Sequence, residues 1–128
     1  MSTNTPALPL AGKIALVTGA TGYIGKAIAL QLAGEGAIVA VNGRNKQAGN
    51  AVVAEIEAQG GKAIFAPADI TNGEQVKNMI DSAVAQLGSL DILVASGAGA
   101  SHDSLPFRLF DELDHSEIDY YIKTHWMT

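Results

Sequence analysis

The chain of 128 residues is 48% hydrophobic and 16% charged, which is typical of one globular domain rather than of a disordered segment. A formal net charge of -5 argues against nucleic acid and anionic membrane surfaces as partners, and the absence of cysteine excludes disulfides and thiolate metal sites. Because it has neither a membrane-length apolar run nor a signal-peptide pattern, the sequence predicts a cytoplasmic protein.

The first part of the chain alternates strand and helix patterns. Residues 1–11 predict a flexible lead-in, and the branched apolar run 14–18 predicts a strand buried on both faces. A glycine-rich turn follows, and apolar residues at helical spacing then predict a helix over 24–35 that Gly36 ends. The apolar run 37–41 predicts a second buried strand.

The same alternation continues along the chain. Residues 45–59 predict a second helix, and the runs 62–67 and 91–95 predict a third and a fourth strand. Between these two strands, Thr71 precedes Glu74 by three residues, which is the spacing of a capping box. We therefore expect a third helix to begin at Thr71.

The order of these elements predicts the fold class. Strands that alternate with helices form a parallel sheet with right-handed crossovers. We expect an α/β fold of Rossmann type: a partial, doubly wound parallel sheet of about four strands in the order 3-2-1-4, with helices on both faces and a crevice between strands 1 and 4. Residues 12–128 would form this one domain. Its last part has a weak helical pattern with candidate buried positions at Phe110, Leu113, Ile118, Tyr121 and Ile122.

The turn after the first strand, TGATGYIG, has the glycine pattern of a dinucleotide-binding motif. Gly19 permits a tight turn out of the strand, Gly22 lets a pyrophosphate approach the backbone, and Gly25 lets the helix pack on the sheet. The start of the helix then offers N–H groups and a positive dipole end to the anion. A turn that binds nothing is the alternative, which the strand-turn-helix context disfavours. The candidate binding residues here are Gly19, Thr21, Gly22, Tyr23, Ile24 and Gly25.

Residues after the other strands complete the candidate site. Arg44 follows the second strand where an acidic residue would bind a ribose hydroxyl, and arginine suits a 2′-phosphate instead, so we expect NADP(H) rather than NAD(H). The alternative for Arg44 is a solvated loop residue. Asp69 is placed either beside an adenine or in a plain turn. Ser96 and Gly97, after the fourth strand, are small enough for a ribose and nicotinamide to pass close to the backbone.

These residues together resemble the short-chain dehydrogenase/reductase family over most of the chain, from Gly12 to about Thr124. The resemblance is carried by the segments KIALVTG at 13–19, NGRN at 42–45, ADIT at 68–71 and LDILV at 90–94. It implies an oxidoreductase that transfers hydride between a nicotinamide cofactor and a carbonyl or alcohol. It also implies that Asp69 and Ile70 contact adenine.

Three features depart from the family pattern. Tyr23 stands where classical members have the middle glycine of the turn, and the sequence ASGA at 95–98 replaces the family's Asn-Asn-Ala-Gly. The family's catalytic tyrosine, followed four residues later by lysine, has no counterpart here. The residues four positions after Tyr23, Tyr120 and Tyr121 are Ala27, Thr124 and His125. We therefore assign no catalytic residue.

Two hypotheses about function follow. The chain is either the cofactor-binding half of an NADP(H)-dependent oxidoreductase or a non-catalytic dinucleotide-binding or interaction module. Family members continue for about another half-length, so we expect a truncated or half-size domain whose fourth strand is an edge. Such an edge, or the C-terminal helix, predicts self-association.

Other groupings give weaker signals. His102, Asp103 and Ser104 are neighbours in one loop, but a catalytic triad depends on geometry that sequence neighbours rarely adopt. The three histidines lack the close spacing of metal ligands, so no metal site is predicted. The acidic stretch from Asp111 to Asp119 is interpreted as a solvated helix face.

Overall fold

A parallel sheet of four strands forms the centre of the structure, a computed structural model in which residues 7–96 are described. The elements in chain order are β1 (Ile14–Thr18), α1 (Tyr23–Gly34), β2 (Ile38–Gly43), α2 (Lys46–Ala58), β3 (Lys62–Pro67), α3 (Gly73–Leu87) and β4 (Ile92–Ala95). The strands pair in parallel in the order β3-β2-β1-β4. This order confirms the predicted fold class. Gly97, the loop residues 102–104 and the predicted helical segment from Phe107 onward lie outside the described residues.

The sheet has a separate core on each face. Side chains alternate across a strand, so Ala15 and Val17 of β1 face the layer formed by α1 and α2, whereas Leu16 between them faces α3. On the first face, Val52 and Ile56 of α2 pack against β1 and β2. Helices therefore cover both faces, as the sequence predicts.

The start of α3 differs from the sequence prediction. Asn72, not Thr71, caps the helix: its side-chain oxygen accepts a hydrogen bond from the Gln75 N–H at 3.1 Å. The Thr71 hydroxyl donates instead to the Asp69 carboxylate at 2.7 Å. The capping-box prediction is wrong because the preceding carboxylate competes for the threonine.

Strand β2 extends further than the sequence predicts, through Asn42 and Gly43. Both residues continue the parallel ladder with β3, where they pair with Ala66 and Pro67. The apolar run ends at Val41, which is why an apolar pattern alone places the strand end too early. As a result, Asn42 belongs to the sheet interior, and Arg44 is the first residue beyond the strand.

At the opposite edge of the sheet, Asp91 fixes β4 to β1. Its carboxylate accepts a hydrogen bond from the Ile14 N–H at 2.8 Å, and its own N–H donates to the Ile14 carbonyl at 2.9 Å. Nearby, the Leu10 N–H donates to the Glu35 carbonyl at 2.8 Å, which ties the residues before β1 to the end of α1. Within residues 7–96, no helix is long and apolar enough to cross a membrane.

Candidate nucleotide-binding site

The turn between β1 and α1 closes on its own backbone. Gly19 has a φ of 60°, a left-handed conformation that favours glycine. Its carbonyl accepts a hydrogen bond from the Gly22 N–H at 3.2 Å, and the Gly22 carbonyl accepts from the Lys26 N–H at 2.9 Å. The chain thereby leaves the strand and enters the helix within four residues.

Gly25 lets α1 begin directly against the turn. It is buried, and a Cβ atom at this position would overlap the Gly19 carbonyl and lie 2.8 Å from the Ser96 hydroxyl oxygen. At Gly22 a Cβ atom would meet the Gly19 carbonyl at 3.5 Å, which is an ordinary contact. The protein's own packing therefore requires glycine at Gly25 but not at Gly22.

The start of α1 differs from the starts of the other two helices. Asn45 caps α2 by accepting from the Ala48 N–H at 3.0 Å, and Asn72 caps α3 in the same way. Among the described residues, no side chain caps α1, whose cap residue is Gly22. The first amides of any helix lack partners inside the helix, so this end offers N–H groups and a positive dipole to an anion.

Tyr23 and Ile24, the first two residues of α1, point outward. Within the described part of the chain, Tyr23 is 100% exposed and Ile24 is 73% exposed. The nearby Lys26 forms an ion pair with Glu55 of α2, with 2.8 Å between Nζ and the carboxylate. This ion pair links α1 to α2, and the polar groups that the turn itself presents are backbone amides.

The residues after β2 and β3 lie beyond the carboxyl ends of the parallel strands, as the turn after β1 does. Thr21 packs over Gly43, where a Cβ atom would lie 2.8 Å from the threonine methyl. Arg44 is exposed, and Asp69 is half-buried. Hydrogen bonds from the Thr71 hydroxyl and the Thr71 N–H, together with the Arg44 charge, hold the pKa of Asp69 below its usual value.

Ser96 links the end of β4 to the end of β1. Its hydroxyl donates a hydrogen bond to the Thr18 carbonyl at 2.5 Å, and its oxygen lies close to Gly25. The structure therefore brings the turn residues and Ser96 together at the carboxyl ends of β1 and β4. At the carboxyl ends of the neighbouring strands, β2 is followed by Arg44, and β3 is followed by Asp69 and the half-buried Ile70.

Asn42 is a further residue of this region, and our interpretation of the sequence gave it no role of its own. It is 1% exposed, and its side-chain oxygen accepts a hydrogen bond from the Gly19 N–H at 3.1 Å. Its side-chain amide donates to the Ala66 carbonyl at 3.0 Å and the Ala68 carbonyl at 3.3 Å. The available signal was a polar residue directly after the buried run 37–41.

A parallel sheet ordered 3-2-1-4, with a glycine turn leading into an uncapped helix, defines a Rossmann-type α/β protein. The sequence pattern of the short chain dehydrogenase family matches residues 13–127. The chain belongs to this family.

Individual relatives agree with this assignment. The chain is 45% identical over 112 residues to 3-oxoacyl-(acyl-carrier-protein) reductase FabG of Staphylococcus epidermidis, which covers 87% of this chain and 46% of that protein. It is 41% identical over 109 residues to 7alpha-hydroxysteroid dehydrogenase of Escherichia coli, covering 84% of this chain and 43% of the relative. The chain thus spans about half the length of the curated relatives it matches.

Solved structures show the same fold. A dehydrogenase/reductase from Sinorhizobium meliloti superimposes with a TM-score of 0.78 at 42% identity, covering 92% of this chain and 45% of that one. A 7α-hydroxysteroid dehydrogenase complexed with NADH and 7-oxo glycochenodeoxycholic acid superimposes with a TM-score of 0.80 at 34% identity. The matched part covers 98% of this chain and 47% of that enzyme.

Proposed function

We propose that this chain binds NADP(H), with the pyrophosphate at the start of α1. The observation that carries this proposal is the uncapped α1 end at Gly22, set between the carboxyl ends of β1 and β4. In doubly wound sheets, ligands bind outside the carboxyl ends of the strands at the point where the strand order reverses. The bound NADH named for the 7α-hydroxysteroid dehydrogenase structure supports a nicotinamide dinucleotide as the ligand.

The two halves of the ligand would extend in opposite directions from the turn. The adenosine would lie toward the ends of β2 and β3, beside Arg44, Asp69 and Ile70. The nicotinamide would lie toward the end of β4, beside Ser96 and Gly97. This orientation places the turn residues, from Gly19 to Gly25, against the pyrophosphate between the two halves.

A preference for NADP(H) over NAD(H) rests on Arg44. It is exposed directly after β2, and the segment NGRN at 42–45 contains no carboxylate that would bind a ribose 2′-hydroxyl. A guanidinium can bind a 2′-phosphate through two parallel hydrogen bonds. The Arg44 charge also contributes to the lowered pKa of Asp69, so the guanidinium and this carboxylate lie within electrostatic reach of one another.

We propose that these residues belong to an enzyme that transfers hydride between NADP(H) and a carbonyl or alcohol. The names of the relatives, a reductase and a dehydrogenase, support this reaction class. Within the 128 residues, the role of the chain is to bind and orient the cofactor, which carries the chemistry. The second candidate is a non-catalytic module that binds the same dinucleotide without hydride transfer.

A charge-insertion experiment tests the binding site. Gly22→Asp places a carboxylate beside the proposed pyrophosphate, so we expect calorimetric titration with NADPH to show no saturable binding. The matched control is Gly73→Asp, the same substitution at the first residue of α3, where a Cβ atom meets nothing within 4 Å. This control should bind NADPH as the unaltered protein does. If Gly22→Asp is folded and retains full affinity, the turn is not the binding site.

A turnover assay tests whether these residues carry out hydride transfer by themselves. The protein is mixed with NADPH and a panel of ketones and aldehydes, and the absorbance of the reduced nicotinamide is followed. Consumption of NADPH that depends on the carbonyl compound supports the oxidoreductase and excludes the non-catalytic module. Saturable NADPH binding without turnover is the result expected of a cofactor-binding unit under either candidate.

A further inference from the structure

The carboxamide of Asn42 joins three separate segments in the interior of the fold. Its oxygen accepts from the Gly19 N–H in the turn after β1, at 3.1 Å. Its amide nitrogen donates to the carbonyls of Ala66 and Ala68 at the end of β3, and it lies 3.2 Å from the Met79 sulfur of α3. The asparagine is 1% exposed; the bonds of its amide nitrogen are buried, and the bond to Gly19 is partly buried.

The two ends of this side chain meet groups of opposite kinds. The Gly19 N–H requires an acceptor, whereas the carbonyls of Ala66 and Ala68 require a donor. Asparagine supplies both from one planar group, and the identity of its partners fixes which end is oxygen. Leucine, with nearly the same shape, would leave all three backbone groups without this partner. A buried polar group without a partner costs much more than an ordinary hydrogen bond contributes.

The segments joined by Asn42 are those that we propose to bind opposite ends of one ligand. Gly19 begins the turn assigned to the pyrophosphate. Ala68 directly precedes Asp69 and Ile70, which are assigned to the adenine side. Resting on that proposed function, we propose that Asn42 is a positioning residue that holds the pyrophosphate turn and the adenine-binding edge at the separation one dinucleotide requires.

A second bond from the same residue provides an internal reference. The Ala20 N–H donates to the backbone carbonyl of Asn42 at 2.8 Å. Substituting the Asn42 side chain leaves that carbonyl in place, so the bond to Ala20 survives while the bond to Gly19 is lost. The two neighbouring amides therefore report separately on the side chain and on the general integrity of the turn.

The test is NADPH affinity in the full chain carrying Asn42→Leu. We expect the dissociation constant to rise by about 10- to 100-fold, the range set by a few orphaned backbone groups at the site. Asn42→Ser retains one hydroxyl and should lose less NADPH affinity than Asn42→Leu. It takes the place of the leucine variant in the test if that variant does not fold. Met79→Leu removes only the sulfur acceptor of the same amide and leaves both backbone carbonyls in place, so it should weaken NADPH binding less than Asn42→Leu does.

A separate control excludes a simple effect of stability. Ile56→Ala removes buried volume from the core between α2 and the sheet and lowers stability, and Ile56 makes none of the side-chain hydrogen bonds of Asn42. At a temperature where all variants are folded, Ile56→Ala should leave NADPH affinity unchanged. Asn42→Leu should accelerate hydrogen exchange of the Gly19 N–H much more than that of the Ala20 N–H. Ile56→Ala should change the exchange rates of these two amides to a similar extent.

Each outcome decides the proposal. Weaker NADPH binding by folded Asn42 variants, together with selective exchange at Gly19, supports it. Unchanged affinity in those variants overturns it and leaves the proposed function intact. If the unaltered protein binds no nicotinamide dinucleotide, the proposed function fails and the positioning role fails with it. In that case, selective exchange at Gly19 would still show that the side chain has a structural role.

Discussion

At the scale of single residues, the three glycines of the turn are glycine for different reasons. Gly19 adopts a left-handed backbone conformation, and Gly25 leaves no room for a Cβ atom between the turn and Ser96. Gly22 meets neither restriction, since its backbone is extended and a Cβ atom there would be tolerated. The sequence pattern predicts all three positions, but only the structure separates the two glycines that the fold itself requires from Gly22, whose glycine the proposed pyrophosphate contact would explain.

Arg44 carries the first residue-scale prediction. Arg44→Ala should weaken NADPH binding by about 1.5–3 kcal/mol, the range for hydrogen bonds to a charged group, and should leave NADH binding unchanged. Lys62→Ala is the control, because Lys62 is an exposed cation at the amino end of β3, whereas Arg44 lies beyond the carboxyl end of β2. Parallel titrations with the two cofactors measure the difference. An equal loss for both cofactors would refute a role at the 2′-phosphate.

Asp69 carries a second prediction, about pH. The Thr71 hydroxyl is the main cause of its lowered pKa, so Thr71→Val should raise that pKa toward the usual value, and Thr71→Ser should not. A carboxyl group whose pKa is lower in the folded than in the unfolded state contributes stability at pH values above its unfolded-state pKa. This contribution is lost as the pH falls through the folded-state pKa. The valine variant should therefore lose less stability on acidification. Carboxyl NMR titration measures the pKa directly, and identical titration curves in the valine variant and the unaltered protein would contradict the assignment.

At the scale of elements, the sequence predicts every strand and helix of residues 7–96, with two ends misplaced by two residues and several others by one. Branched apolar runs and helical spacing indicate the elements because burial on the sheet requires those patterns. The start of α3 was misplaced because Thr71 has two possible partners, and only the folded turn shows that Asp69 binds its hydroxyl. The end of β2 was misplaced because Asn42 is polar, although its side chain is fully hydrogen-bonded inside the sheet.

The α3 cap gives a prediction at this scale. Asn72→Ala removes the acceptor for the Gln75 N–H and should lower the free energy of unfolding by about 1 kcal/mol. Asn78→Ala, in the exposed middle of the same helix, should be neutral or stabilising by about 0.5 kcal/mol because alanine favours helix. Urea denaturation of both variants measures the two values. Equal destabilisation would show that Asn72 is not the cap.

At the scale of the whole molecule, topology could be predicted and the buried hydrogen-bond network could not. Alternation of strands and helices leaves few parallel arrangements, and the observed order is the expected one. The contacts of Asn42 join residues 23 to 37 positions apart, which no local pattern reveals. In the candidate site, the turn was predictable because it is continuous in sequence. The contacts of Asn42 with β3 and α3, which support the turn, could not be predicted, because they form only when the chain folds.

Self-association through the sheet edge stays a prediction at this scale. Among the described strands β4 pairs only with β1, and its Leu93 is 60% exposed. Leu93→Lys places a charge on this edge and should shift sedimentation equilibrium toward the smaller species, since edge lysines oppose strand pairing. Val84→Lys, on the exposed side of α3, is the control and should have no such effect. A protein that sediments as a monomer at every concentration would refute self-association.

Residues 19–25 contain no lysine or arginine, and Lys26 pairs with Glu55, so the proposed pyrophosphate contacts come from backbone amides, which matters for the response to ionic strength. Mobile ions screen the attraction between an exposed guanidinium, such as that of Arg44, and the 2′-phosphate that only NADP(H) carries. Hydrogen bonds from backbone amides act at contact distance and are screened far less. Rising salt should therefore weaken the binding of NADPH while changing that of NADH little, so that selectivity between the two cofactors is greatest in dilute buffer.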